Sequence, residues 1–171
     1  MRTIEAVATT SGSPAAVWAL LADASTWVRW GSWSKVEVEG GGQQGRGSVR
    51  VLVRAPFRVR ELITEWVPRE RMAYELIDGM RVRGYRAAVT LEEAAEGGAV
   101  VRWRSTYHRA GPFTALVLRL AVRDACKRLA EGCVRVGVRR VSRPVKRHRP
   151  TAQFCRVWSC RPPRLFCFPK T

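Results

Sequence analysis

The stretch Ser13–Trp33, SPAAVWALLADASTWVRWGSW, constrains this chain more than any other. Ser13 can cap a helix through its hydroxyl, and Pro14 suits the first helical position, where no amide hydrogen is needed. Val17, Leu20 and Leu21 then fall at helical spacing and define a short amphipathic helix. Asp23 and Ala24 interrupt it, Ser25 offers a second cap, and Thr26 to Trp30 form one more turn carrying Trp27 and Trp30, with Trp33 just beyond. Two helical pieces this small and this aromatic cannot make a core alone. They need a sheet to lie against.

The sequence supplies one. Residues 2 to 10 alternate as a first strand. After the helical pieces, a strand over roughly Trp33–Glu39 leads into the glycine-rich loop Gly40–Gly45, too costly in backbone entropy to be regular. In the next strand Val49, Val51 and Val53 share one face and Arg50 and Arg54 the other. Ala55-Pro56 marks a turn. The strand Phe57–Trp66 then carries Phe57, Val59 and Ile63 on one side and Arg58, Arg60, Leu62 and Trp66 on the other, so both faces are partly apolar. Pro68 ends it, Met72–Ile77 begins another, and Asp78-Gly79 signals a hairpin. Tyr85, Ala87, Val89 and Leu91 align after a slip at Gly84 that a bulge would explain. Beyond the turn Glu96-Gly97-Gly98, Val101, Trp103, Ser105 and Tyr107 face one way, and Arg102, Arg104 and His108 the other.

Gly111-Pro112 opens a long helix in which Leu118, Val122, Ala125 and Leu129 form a stripe, widened by Phe113, Val117 and Leu120, with Gly132 as the expected stop. The order strand, two short helices, several consecutive strands and one long helix predicts an α+β domain in which helices pack on one face of an antiparallel sheet.

Several motifs resemble the SRPBCC (START-like) superfamily, especially its polyketide cyclase/dehydrase-like branch. These are S-P-x-x-V-W-x-x-L-A-D from Ser13 with Trp27 and Trp30 close behind, Glu65-Trp66-Val67-Pro68 leading into Arg71-Met72-Ala73-Tyr74, Gly84-Tyr85-Arg86, and Val100-Val101-Arg102-Trp103. The resemblance covers about residues 1 to 131 and implies a helix-grip fold: a curved antiparallel sheet of about seven strands, two short helices and a long C-terminal helix, enclosing an elongated hydrophobic cavity. Cyclase members of that superfamily act mainly by folding a reactive chain in the cavity. Many others bind lipids or other hydrophobic compounds without chemistry, and some dock on partner proteins. The matched motifs are packing residues, so no catalytic residue carries over.

Charge divides the chain. The 171 residues carry a formal net charge of +17, yet Cys133–Thr171 holds 11 of the 31 basic residues and none of the 14 acidic ones, the last of which is Glu131. This predicts a ligand-binding domain at 1–132 and a basic, Arg/Pro/Cys-rich tail at 133–171. Arg139-Arg140 and Lys146-Arg147-His148-Arg149 would suit nonspecific binding to nucleic acid or an anionic surface. Loss of every acidic residue right after the closing helix fits better with a translated wrong reading frame of an arginine-rich gene, or with disorder. Four of the five cysteines (Cys133, Cys155, Cys160 and Cys167) lie in the tail, at spacings unlike those of zinc sites. No secretory signal or spanning segment of roughly 20 apolar residues is present, which gives a cytoplasmic expectation.

For function, the expectation is a small hydrophobic or aromatic molecule held in the cavity. Trp33, Tyr74, Tyr85, Trp103 and Tyr107, from an aromatic set that also includes Trp27 and Trp30, are the candidate contacts together with Phe113 and Val117 of the long helix. Neither a cofactor nor a metal is implied, and no specific nucleic-acid motif is seen. His108 sits at a strand end, where a solvated role is expected. The rival reading is a cyclase or dehydrase. It would be favoured by Glu61, Glu65 or Arg86 turning inward, where burial would raise a carboxyl pKa as acid–base work needs.

Overall fold

The computed structural model describes residues 1–141. β1 (Arg2–Thr10) opens the chain, followed by α1 (Pro14–Ala22), whose cap is Ser13: its Oγ accepts from the Ala16 amide at 3.3 Å. The second cap is Asp23, not Ser25. Asp23 Oδ1 accepts from the Ser25 amide at 2.9 Å, because Ser25 already lies inside the 3-10 turn Ala24–Thr26 that precedes α2 (Trp27–Trp30). The end of α1 is bound to this turn by side chains. The Leu20 carbonyl accepts from Thr26 Oγ1 (2.5 Å) and Trp30 Nε1 (3.4 Å), and the Leu21 carbonyl from Trp27 Nε1 (3.0 Å) and Gln44 Nε2 (3.1 Å). These are carbonyls that a helix terminus would otherwise leave unpaired.

The strands follow: β2 (Lys35–Val38), β3 (Val49–Arg54), β4 (Phe57–Val67), β5 (Arg71–Asp78), β6 (Val82–Arg83), β7 (Arg86–Glu93), β8 (Ala99–Tyr107) and β9 (Arg109–Ala110), before α3 (Pro112–Val141). Seven of them form one antiparallel sheet in the order β1-β8-β7-β5-β4-β3-β2, while β6 and β9 pair separately. α1 and α3 pack against the sheet and each other, with Val17 and Leu21 of α1, Met72, Val89 and Val101 of the sheet and Leu129 of α3 fully buried between them. This is the helix-grip arrangement.

α3 differs from its sequence pattern in two ways. Its buried stripe is Leu118, Val122, Cys126 and Leu129; Ala125 sits at the margin, and Phe113, Val117 and Leu120 are 79, 39 and 56% exposed. At 3.6 residues per turn Phe113 and Leu120 lie on the side of the helix away from Leu118 and Val122, so they cannot widen the core stripe. The helix also runs through Gly132 to Val141. Gly132 serves close approach instead of termination: a Cβ there would stand 3.1 Å from Trp30 Cβ. Cys133, beyond the boundary drawn from composition, is buried next to Gly12. The basic motifs from Arg143 onward lie outside the described residues.

The turns respond differently to added side chains. Gly79 has φ +98°, and a Cβ there would run into the Arg58 carbonyl oxygen and stand 2.7 Å from Val59 Cα, all backbone. Gly41, at φ +68°, faces open space. Gly79→Ala is expected to cost about 3 kcal/mol and Gly41→Ala about 1 kcal/mol, read as the difference in urea unfolding free energy.

Candidate functional site

The hairpin of β3 and β4 sets the site. Its register pairs Arg54 with Phe57 next to the Ala55-Pro56 turn and, counting outward, Arg50 with Glu61. Arg50, Leu52 and Arg54 therefore share the inward face of β3. Arg50 is completely buried, with its Nη2 2.5 Å and its Nε 3.2 Å from Glu61 Oε2. The guanidinium carbon lies 3.7 Å from the Trp27 ring centroid and 5.1 Å from that of Tyr74, so the cation is held by a carboxylate and two aromatic faces. Arg50 Nη1 has no hydrogen-bond partner.

Further along β4 the register shifts between Ile63 and Glu65, a bulge that reverses the sides of the last residues. Glu65 turns outward, where it pairs with Arg71 at 2.7 Å, and Trp66 turns in to meet Trp18 of α1 at 4.9 Å between ring centroids. Arg86 is also outside, its side chain 74% exposed beside Glu75. Of the three ionisable candidates, only Glu61 faces inward.

Between the sheet, α2 and α3 lies a cavity of about 470 Å³. Trp27, Trp30 and Trp33 line it, with Tyr74 and Trp103 from the sheet and Tyr85 from the residue just before β7. Leu118, Ala121, Val122 and Ala125 of α3 close it, while Phe57, Met80 and Val117 reach its lining from the hairpin, the β5–β6 turn and α3. Of the residues expected to contact a ligand, Trp33, Tyr74, Tyr85, Trp103 and Val117 are brought together here. Tyr107 is buried elsewhere, beside a separate groove between β1 and α3. Phe113 stands out from the first turn of α3 and takes no part in the lining. His108 is exposed, its ring lying where a Gly84 side chain would be.

The aromatic wall is connected. Trp27 and Trp30 lie 4.6 Å apart, Trp103 meets Trp27 edge-on at 6.4 Å and Tyr74 at 6.5 Å, and Tyr74 and Tyr85 are 6.5 Å apart. The Tyr85 and Ser105 hydroxyls are 3.0 Å apart, and Trp103 Nε1 is a buried donor without a partner. Burial raises the Glu61 carboxyl above its ordinary range, with Arg50 pulling the other way. Burial also drives the Tyr74 phenol well above its usual value, reinforced by Tyr85 and Glu61, and pushes Tyr85 up to about 12. Both phenols are therefore hydrogen-bond donors at neutral pH. Arg50 is the participant that strand alternation did not single out; the length of the β3–β4 turn was the signal that placed it opposite Glu61.

A sheet gripping a long helix around an aromatic cavity defines a helix-grip protein. The chain belongs to the family described as polyketide cyclase / dehydrase and lipid transport, whose model matches residues 1–137. Among solved structures it is similar to the protein XoxI from Bacillus cereus, at 18% identity over 80% of this chain and 99% of that one, with a TM-score of 0.66. A protein from Thermobifida fusca is similar at 23% identity, 80% and 95% coverage and a TM-score of 0.65. Ara h 8.0201 matches at 16% identity, 78% and 98% coverage and a TM-score of 0.62. At these identities the likeness establishes the fold alone. No curated protein matches the chain in sequence.

The buried pair makes two predictions. Arg50→Met leaves Glu61 buried without its partner and should cost about 4 kcal/mol of unfolding free energy, most of which the double change Arg50→Met with Glu61→Leu restores. Because the folded state raises the Glu61 pKa above the ordinary 4.5, the stability this group contributes is full below that pH and is lost as pH rises through the raised value. Denaturation of Glu61→Gln across the same pH range should lack that component.

Proposed function

We propose that this chain binds a small apolar or aromatic molecule in the internal cavity, with the ligand body against the tryptophan wall and its polar end toward Glu61 and Tyr85. The observation that carries this reading is the cavity itself. Its volume lies within the range of about 300–1,000 Å³ usual for small-molecule pockets, and its lining is mostly aromatic and aliphatic, with Glu61, the Tyr74 and Tyr85 hydroxyls, Ser32, Arg54 and Asp124 as the polar groups. Trp33, Tyr74, Tyr85, Trp103 and Val117 are the contacts we assign. The binding domain extends through the packed part of α3, at least to Cys133, since that helix forms one wall.

Native mass spectrometry of the purified chain should show a bound compound of defined mass. In parallel, the uncharged fluorophore N-phenyl-1-naphthylamine should bind saturably. Ala121→Trp places a large ring in the cavity from a position that tolerates exposure, and should weaken that binding at least about tenfold without unfolding the protein. Equal binding by this folded variant would reject the cavity as the site.

One observation favours a second reading, an enzyme of the cyclase or dehydrase type: Glu61 is an inward carboxyl with a raised pKa in a cavity that also presents Tyr74 and Tyr85. Such a group can take a proton from carbon next to a carbonyl while a phenol donates to the oxygen. If the co-purifying compound is converted, Glu61→Gln should slow the chemical step by about 10²–10⁴-fold beyond any loss of binding, read as the change in kcat against that in KM. If it emerges unchanged, carriage stands.

A further inference from the structure

The first half of α3 is apolar on two sides. One side, with Leu118 and Val122, is core; the other bears Phe113, Leu116 and Leu120, which are 79, 55 and 56% exposed. Their spacing of three and four residues puts them in one row on the outward face. Beside this row runs a groove of about 600 Å³ between α3 and the edge strand β1, lined by Ile4, Ala115 and Leu116 and by three arginines, Arg2, Arg119 and Arg123. Among the described residues none of these three has an ion-pair partner, and the groove's one carboxylate, Glu5, is already held by Arg102 at 2.8 Å. No acidic residue occurs on α3 before Asp124.

We propose that this face docks on the surface of an anionic lipid bilayer, with Phe113, Leu116 and Leu120 entering the headgroup boundary and Arg2, Arg119 and Arg123 taking lipid phosphates. An apolar row flanked by unpaired cations is the pattern that suits such an interface, where apolar burial and attraction to anionic lipid add. A second copy of the chain is a poor occupant, because a self-complementary contact would bring the same arginines together. Nucleic acid would use the arginines and leave the three large apolar side chains unexplained. Val117, next on the helix, lines the cavity, so the docked face adjoins the ligand compartment.

The test is co-sedimentation of the full chain with vesicles of phosphatidylcholine alone and of phosphatidylcholine mixed with phosphatidylserine. Wild type should bind the mixed vesicles preferentially. Arg119→Gln with Arg123→Gln should reduce that binding about 20-fold. Leu116→Ser with Leu120→Ser should reduce it about tenfold while leaving N-phenyl-1-naphthylamine binding unchanged, which separates this surface from the cavity. The proposal fails if wild type ignores both vesicle types, or if both variants bind as wild type does, which would assign the affinity to another basic segment. It fails equally if the leucine variant binds normally and a DNA duplex competes with the vesicles, or if the leucine variant instead converts a dimer to a monomer.

Discussion

A guanidinium that no water reaches must be matched in charge and shape by its neighbours, and the inner architecture of this domain answers to that demand at Arg50. Glu61 meets it from directly across the β3–β4 hairpin, Trp27 covers one face of it and Tyr74 approaches from β5. Three elements converge on a cation carried by a fourth, and all three side chains that hold it also line the cavity. The position of Trp27 fixes α2, and α2 carries Trp30 and leads to Gly31 and Trp33, which complete that side of the wall. Buried ion pairs are poor sources of net stability compared with well-packed apolar groups, so the pair is better understood as fixing one arrangement of the wall.

The open space arises from small residues at chosen places. On α3, Ala121 and Ala125 face the cavity where Leu118 and Val122 would otherwise be matched by equally large neighbours. At the end of α2, Gly31 donates its amide to the Trp27 carbonyl at 2.7 Å, and a Cβ there would stand 2.6 Å from that oxygen and 3.2 Å from Trp33. A packed interior normally closes gaps larger than a water molecule. Here rigid aromatic rings, locked by contact with one another and by indole hydrogen bonds, hold the walls apart.

Much of this could be read from the chain, because the largest sequence signals come from side chains with only one place to go. Val101, Trp103, Ser105 and Tyr107 alternate inward along β8, and Val17, Leu20, Leu21, Trp27 and Trp30 are buried as their spacing requires. Alternation failed where the backbone departs from a two-residue period. The bulge after Ile63 exchanges Glu65 for Trp66, a change of one residue that no composition rule reveals. At β3 both faces are buried at mid-strand, Val51 on one and Arg50, paired with Glu61, on the other, so the strand's valines did not mark which face turns to the cavity. Phe113 and Leu120 depart from the core stripe for a different reason: a helix can present apolar residues to two surroundings, so hydrophobicity alone does not mean core.

The hydrogen bonds from Trp27, Trp30, Thr26 and Gln44 to the last carbonyls of α1 tie that helix end and the tryptophan wall into one unit. The end of α1 and the tryptophan wall cannot loosen separately, because opening either one strips buried carbonyls of their donors. That side of the compartment behaves as a fixed jamb. Phe57 and Val117, which also line the cavity, belong to the β3–β4 hairpin and the first turns of α3 and are 56 and 39% exposed. For the binding proposed above, entry would run past these exposed side chains and leave the tryptophan wall intact.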